Sequence, residues 1–415
     1  MKINKIALVI ILTLMAVPSM GQRVKISNAR IVTPYNIIDS GTILIENGKI
    51  TAVSYKDLPF QNAQVIDAGG RYASPGFIDI HTHGGGGYDF LDGTVEAVLG
   101  IAEIHARHGT TLIYPSTASC SNEDLFKLFD AYRKADKTNA KGAVLGGINI
   151  EGGYLNMEMR GGQDSRYISN PIRKDFMDIL DKGGDIIKRW SFAPELPGTA
   201  DLMDELNARG IQMSMAHTAA LYEEARDAFN RGMNSITHFY SLTSTVTRRN
   251  ALRYAGVIEA GYLFDDIYVE AIADGVHLPE PLLRLIYKVK GPDRIVLVTD
   301  AMRGADMPEG SIVILGSLND GIEVIIEDGV AKLPDRSSFA GSIATADRLV
   351  RTYMQKAGVE MSKAVQMITL TPAQLMKIDN RKGSIAVGKD ADIILFDEDI
   401  NVSMTMINGK VIYDN

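Results

Sequence analysis

Four of the chain's seven histidines, with two carboxylates, stand at the ends of short apolar runs. His81 and His83 close Pro75-Gly-Phe-Ile-Asp-Ile-His-Thr-His83, and the chain then breaks into glycines, Gly84 to Gly87. Residues two apart on a strand point to the same side, so these two imidazoles can converge. Glu151 ends a third run, His217 a fifth, His238 a sixth and Asp300 an eighth. Imidazole and carboxylate are ligands for divalent Zn, Fe or Mn. The six residues are therefore candidate ligands for one or two divalent ions, zinc foremost and iron or manganese next. Glu151 can bridge two ions through its two oxygens. Such an ion lowers the pKa of water from 15.7 to about 7. Asp300 is the candidate catalytic group, taking the proton of that water and passing it to a leaving group. The chemistry expected is metal-dependent hydrolysis.

Other reactive side chains get plainer readings. His105 and His108 lie before Gly109-Thr-Thr, away from the strand ends, and read as surface or capping residues. Cys120 is the single cysteine, which excludes an intrachain disulfide and a Cys-based metal site.

The six candidates must be positioned by the elements they end. The apolar runs are 77–81, 111–115, 144–151, 190–194, 212–217, 235–238, 267–272 and 295–300. Amphipathic helical patterns lie between them at 94–108, 122–135, 200–209, 222–231 and 280–289. This alternation predicts a (β/α)8 TIM barrel over 75–378 with its chemistry at the strand C-termini. An open doubly wound sheet is the alternative, without the Gly-x-Gly-x-x-Gly turn it would carry. A β insertion is expected at about 303–339, followed by helices at 345–357 and 361–378. The segments 22–74 and 379–415 each carry an Asn-Gly hairpin, Asn47-Gly48 and Asn408-Gly409. Neither has enough strands to be stable alone, which predicts one small β-sandwich built from both ends.

At 415 residues the chain can hold both domains. A net charge of −8 gives no footprint for nucleic acid. Lys2 and Lys5 precede an apolar run over 6–17 and small residues at Ser19 and Gly21. This reads as a signal peptide over 1–21, too short to serve comfortably as a membrane span. The expectation is a secreted or periplasmic protein with no stable membrane anchor.

The motifs together resemble the amidohydrolase superfamily, and within it the N-acetylglucosamine-6-phosphate deacetylases. The resemblance rests on the His-x-His stretch, Ile150-Glu-Gly, Ala216-His217-Thr, Thr237-His238-Phe-Tyr, Ala273-Asp-Gly-Val-His277, Leu297-Val-Thr-Asp-Ala301, Ala340-Gly-Ser342 and Gly383-Ser-Ile-Ala-Val-Gly-Lys-Asp-Ala-Asp392. It implies removal of acetyl from N-acetyl-D-glucosamine 6-phosphate, giving acetate and glucosamine 6-phosphate. It also implies a homodimer, with a phosphate-binding arginine, here Arg249, and His277 shared across the subunits. Gly162 and Gln163 are the matching donors after the third strand, Gln163 standing where some members have histidine. Ser241 and Leu242 stand where Asn-Ala is usual. A signal peptide points to an alternative substrate outside the cytoplasm, an unphosphorylated N-acetyl sugar or another N-acyl compound. A non-catalytic sugar-binding barrel would lack ligands that this chain has.

Overall fold

The computed structural model describes residues 22–319 and 321–415. The chain is a mixed α/β domain with a smaller β domain. Eight parallel stretches succeed one another in chain order. Phe77–Thr82, Thr110–Pro115 and Val144–Leu145 form a three-stranded sheet. Ile148–Glu151, Ile187–Phe192, Gln212–Met215, Ser235–Ile236, Tyr268–Ala271 and Ile295–Leu297 form a six-stranded one. The third run is split because Gly146 and Gly147 bend it. Gly147 has φ +120°, and a Cβ on Gly146 would meet the Tyr114 ring at 2.6 Å. The two sheets meet at a parallel bridge between Ser116 and Asn149. At the opposite edges Asp300 N–H donates to His81 O at 2.9 Å.

Helices pack between the strands, and their ends follow local chemistry. Thr94 caps Val95–Arg107 by accepting from Ala97 N–H, and Ser121 caps Asn122–Thr138 with Glu123 and Asp124 in the first turn. Two helices were not among those read from the sequence, Arg173–Gly183 and Val257–Leu263. The helix expected over 361–378 is two, Met361–Gln366 and Leu370–Leu375. At the break, Met367 O and Ile368 O accept from Leu297 N–H and Ile78 N–H at 2.9 and 2.8 Å. Buried strand amides need acceptors, and the broken helix supplies them.

Both chain ends feed one eight-stranded sheet, where two packed layers were expected. The strand Arg23–Val32 has register shifts around Ala29, and Asn28 takes φ +52°. Such bulges bend a sheet over its own core, here including Ile26, Ile43, Ile393 and Met406. Asn47-Gly48 and Asn408-Gly409 take positive φ at both residues, as two-residue hairpins require.

The insertion is an antiparallel sheet of Ile312–Leu315, Ile322–Glu327 and Val330–Lys332. Arg303 ties it down. Its guanidinium pairs with Asp92 at 2.6 Å and donates to the carbonyls of Gly87, Ile314 and Gly316 at 2.9 Å each. His105 is fully buried, which corrects the surface reading. Its Nε2 lies 3.0 Å from Gly84 O and 3.2 Å from Thr82 Oγ1, bracing the turn after His83. Its helix turns this side chain inward, a direction the sequence spacing does not reveal. Among the described residues no helix is long and apolar enough to cross a membrane.

Candidate metal centre

The strand ends bring the six expected ligands together in two sets that share Glu151. The first contains His81, His83, Glu151 and Asp300, and the second Glu151, His217 and His238. In the first, His81 Nε2 lies 3.2 Å from His83 Nε2, 3.2 Å from Glu151 Oε2 and 3.4 Å from Asp300 Oδ1. His83 Nε2 lies 3.2 Å from Glu151 Oε2 and 3.0 Å from Asp300 Oδ1. In the second, Glu151 Oε1 lies 3.3 Å from His217 Nε2 and 3.1 Å from His238 Nε2, which are 3.2 Å apart.

These spacings fit a metal ion. A tetrahedral ion with ligands at 2.0–2.1 Å separates neighbouring donors by about 3.3 Å. The first set offers four donors. The second offers three, leaving the fourth position for water or substrate, as in catalytic zinc sites. Three of the four other ring nitrogens are held outward, and the fourth, Nδ1 of His83, finds no partner. His81 Nδ1 meets Glu270 Oε2 at 3.0 Å, His217 Nδ1 meets Met159 O at 2.8 Å and His238 Nδ1 meets Ser241 O at 3.0 Å. Such acceptors fix the tautomer that leaves Nε2 free for an ion.

The local backbone is unusual. His217, His238 and Asp300 take φ of +45°, +30° and +46°. Non-glycine residues in this region are strained, and such strain clusters at functional sites. Each strand stops just before its ligand, so the abrupt turn aims the side chain over the strand ends.

The electrostatics follow from mutual proximity. Burial opposes the charged form of Glu151, but His81 and hydrogen bonds from His217 and His238 hold its carboxyl well below the usual range. Burial likewise opposes ionisation of Asp300, yet His81 and His83 draw it down to about 2. His83 is pushed up to about 9 because Asp300 and Glu151 outweigh its desolvation. Without an ion, protons on the imidazoles balance the charge of the buried carboxylates.

The site opens into a cavity of about 320 Å³. Gly162, Gln163, Ser241, Leu242 and His277 line it as expected. Gln163 Oε1 accepts from Ser119 N–H at 2.6 Å, and its Nε2 faces Glu151 Oε2 at 3.5 Å. Asp274 fixes His277 through Nδ1 at 2.7 Å. Arg249 is not brought to this cavity. It is exposed on the hairpin Thr247–Arg249 and Leu252–Tyr254, over the Tyr254 ring. Sequence reading missed Asp89, Tyr240, Met302, Leu315 and Phe339, which also line the cavity. The Ala340-Gly-Ser342 motif was the available signal for the last wall.

The amidohydrolase family pattern matches residues 72–412. The human N-acetylglucosamine-6-phosphate deacetylase is 30% identical over 84% of this chain and 85% of its own length. The crystal structure of the Pasteurella multocida enzyme of that name superposes with a TM-score of 0.86 at 29% identity, covering 94% of this chain and 99% of that one. A Mycobacterium smegmatis deacetylase variant, solved with N-acetyl-D-glucosamine 6-phosphate, has a TM-score of 0.86 at 25% identity, covering 95% and 100%. These relatives, all N-acetylglucosamine-6-phosphate deacetylases by name, overturn the expectation of a secreted or periplasmic protein. The signal peptide it rested on, 1–21, lies outside the described residues. The chain belongs to the amidohydrolase family, among its N-acetylglucosamine-6-phosphate deacetylases.

Proposed function

We infer that this chain removes the acetyl group of N-acetyl-D-glucosamine 6-phosphate, giving acetate and glucosamine 6-phosphate. The observation that carries the reading is the pair of donor sets at tetrahedral spacing beneath a cavity of about 320 Å³. The likeness to deacetylases along nearly the whole chain supports it. We propose that the two parallel sheets are arcs of one (β/α)8 barrel, a reading supported by the Ser116–Asn149 bridge and the Asp300–His81 hydrogen bond.

His81, His83, Glu151 and Asp300 would hold one ion, and Glu151, His217 and His238 a second, with zinc suited to this nitrogen and oxygen set. Bound there, a divalent ion makes water acidic enough to ionise at neutral pH and polarises the acetyl carbonyl. The chain's own residues do the rest. Asp300 accepts a proton from the attacking water. The water oxygen bonds to the acetyl carbon. Gln163 Nε2 donates to the carbonyl oxygen as charge collects there. Asp300 then returns the proton to the amine nitrogen as the C–N bond breaks. His277, with Nδ1 tied to Asp274, keeps Nε2 for the sugar phosphate. Arg249 stands on a projecting hairpin, and we propose that it enters the cavity of a partner subunit in a homodimer.

The test compares kcat/KM for the phosphorylated and unphosphorylated N-acetyl sugars, measured as acetate release. The phosphorylated sugar should be strongly preferred, and Arg249→Ala should erase most of that preference. Equal rates on both sugars would overturn the substrate assignment.

A further inference from the structure

We propose that Glu270 is a positioning residue for both ion sites at once. It acts through the side chain of His81 in the first set and through the backbone of His238 in the second. The inference rests on the metal reading above.

Glu270 sits inside the strand Tyr268–Ala271, fully buried beneath the donor cluster. Its Oε2 meets His81 Nδ1 at 3.0 Å and accepts from His238 N–H at 3.1 Å. Its backbone carbonyl accepts from Phe239 N–H at 2.8 Å. His238 is the residue at φ +30°, and these two bonds clamp the chain on either side of its strained peptide. The carboxylate is itself fixed. Arg189, also fully buried, pairs with Oε1 from the strand Ile187–Phe192, which two intervening strands separate from that of Glu270 in the sheet. Arg189 reaches on toward Ser235 Oγ and Thr237 Oγ1, at 3.4 and 3.5 Å, on the strand leading to His238.

Two comparisons within the site argue that this carboxylate does more than fill space. Backbone carbonyls hold the outer nitrogens of His217 and His238, whereas His81 alone meets a charged acceptor. A carboxylate on Nδ1 makes Nε2 a stronger donor than a carbonyl does. Burying an Arg–Glu pair beneath a metal site also carries a desolvation cost that apolar packing would avoid. The geometry gives that cost a use, since one oxygen orients ligands of both sets.

Metal content decides the matter. Wild type, Glu270→Gln and the double variant Glu270→Gln with Arg189→Met are stripped and then dialysed against buffered zinc. Zinc per chain and apparent Kd are measured. Cobalt-loaded samples add the visible absorption of the ligand field. The amide keeps the size of Glu270 and loses its charge. Glu270→Gln should bind at the first set about 10–100-fold more weakly and alter the cobalt spectrum, and it should lower the unfolding midpoint of the metal-free protein because it leaves Arg189 unpaired. The double variant leaves no unpaired buried charge, so it keeps the fold and should show the same weakening. Wild-type zinc affinity and cobalt spectrum in either folded variant would overturn the inference alone. A wild type that retains no ion would overturn the metal reading and this inference with it.

Discussion

Loading the metal-free protein should expel protons, and their number can be worked out from the site. His81, His83 and His238 all have pKa values raised above 6.5. Burial alone would lower each, but Glu151 beside all three, with Asp300, reverses the direction. At about pH 6 these three rings therefore carry protons on Nε2, the atom that faces the ions. Coordination needs that lone pair, so these three rings should release up to about three protons, two in the first set and one in the second. Through these rings, the product of the two apparent association constants should then rise by up to about a thousandfold per pH unit. Calorimetric titration in buffers of different ionisation enthalpy reads the number directly as a slope. A slope near zero at pH 6 would mean that the rings are already neutral, and would refute the electrostatic account of the cluster.

The same shifts set the stability of the metal-free protein. The raised imidazoles contribute stability that is fully present below pH 6.5 and lost as pH rises, through about 9 for His83. Asp300 contributes above 3.8, and its contribution is lost as pH falls through about 2. Thermal unfolding with chelator should therefore show a falling Tm from pH 7 to 10, a fall that metal-loaded protein lacks. Asp300→Asn should lower kcat by about 10²–10⁴ with KM little changed, measured as acetate release. Retained turnover would remove Asp300 from the proton path. Arg303→Met strands Asp92 in a buried site and frees three carbonyls, so urea unfolding should show a loss of about 3–5 kcal/mol. An unchanged midpoint would show that the insertion is held by other contacts.

All six candidate ligands were legible because strand ends are legible. A short apolar run followed by His, Glu or Asp says where the chain leaves the sheet, and parallel order puts such ends on one rim. The split at Gly146 and the positive φ of His217, His238 and Asp300 were not legible, since they depend on what lies opposite each backbone. Glu270 was hidden for a related reason. Inside the run 267–272 a lone carboxylate looks like an interruption, and its partners Arg189 and His81 come from distant strands. The cavity wall from the insertion was missed because Leu315 and Phe339 are ordinary apolar residues until the fold lays them over the site. Arg249 carries a role drawn from resemblance, and one chain alone leaves it on an exposed hairpin.

The central claim is that acetate release from N-acetyl-D-glucosamine 6-phosphate depends on ions held by these strand ends. It is tested most directly by titrating zinc into stripped protein while counting bound ions and measuring acetate release in the same samples. Turnover should be absent at zero zinc, rise with occupancy and level off when both donor sets are filled. Full turnover by the stripped protein would contradict the account.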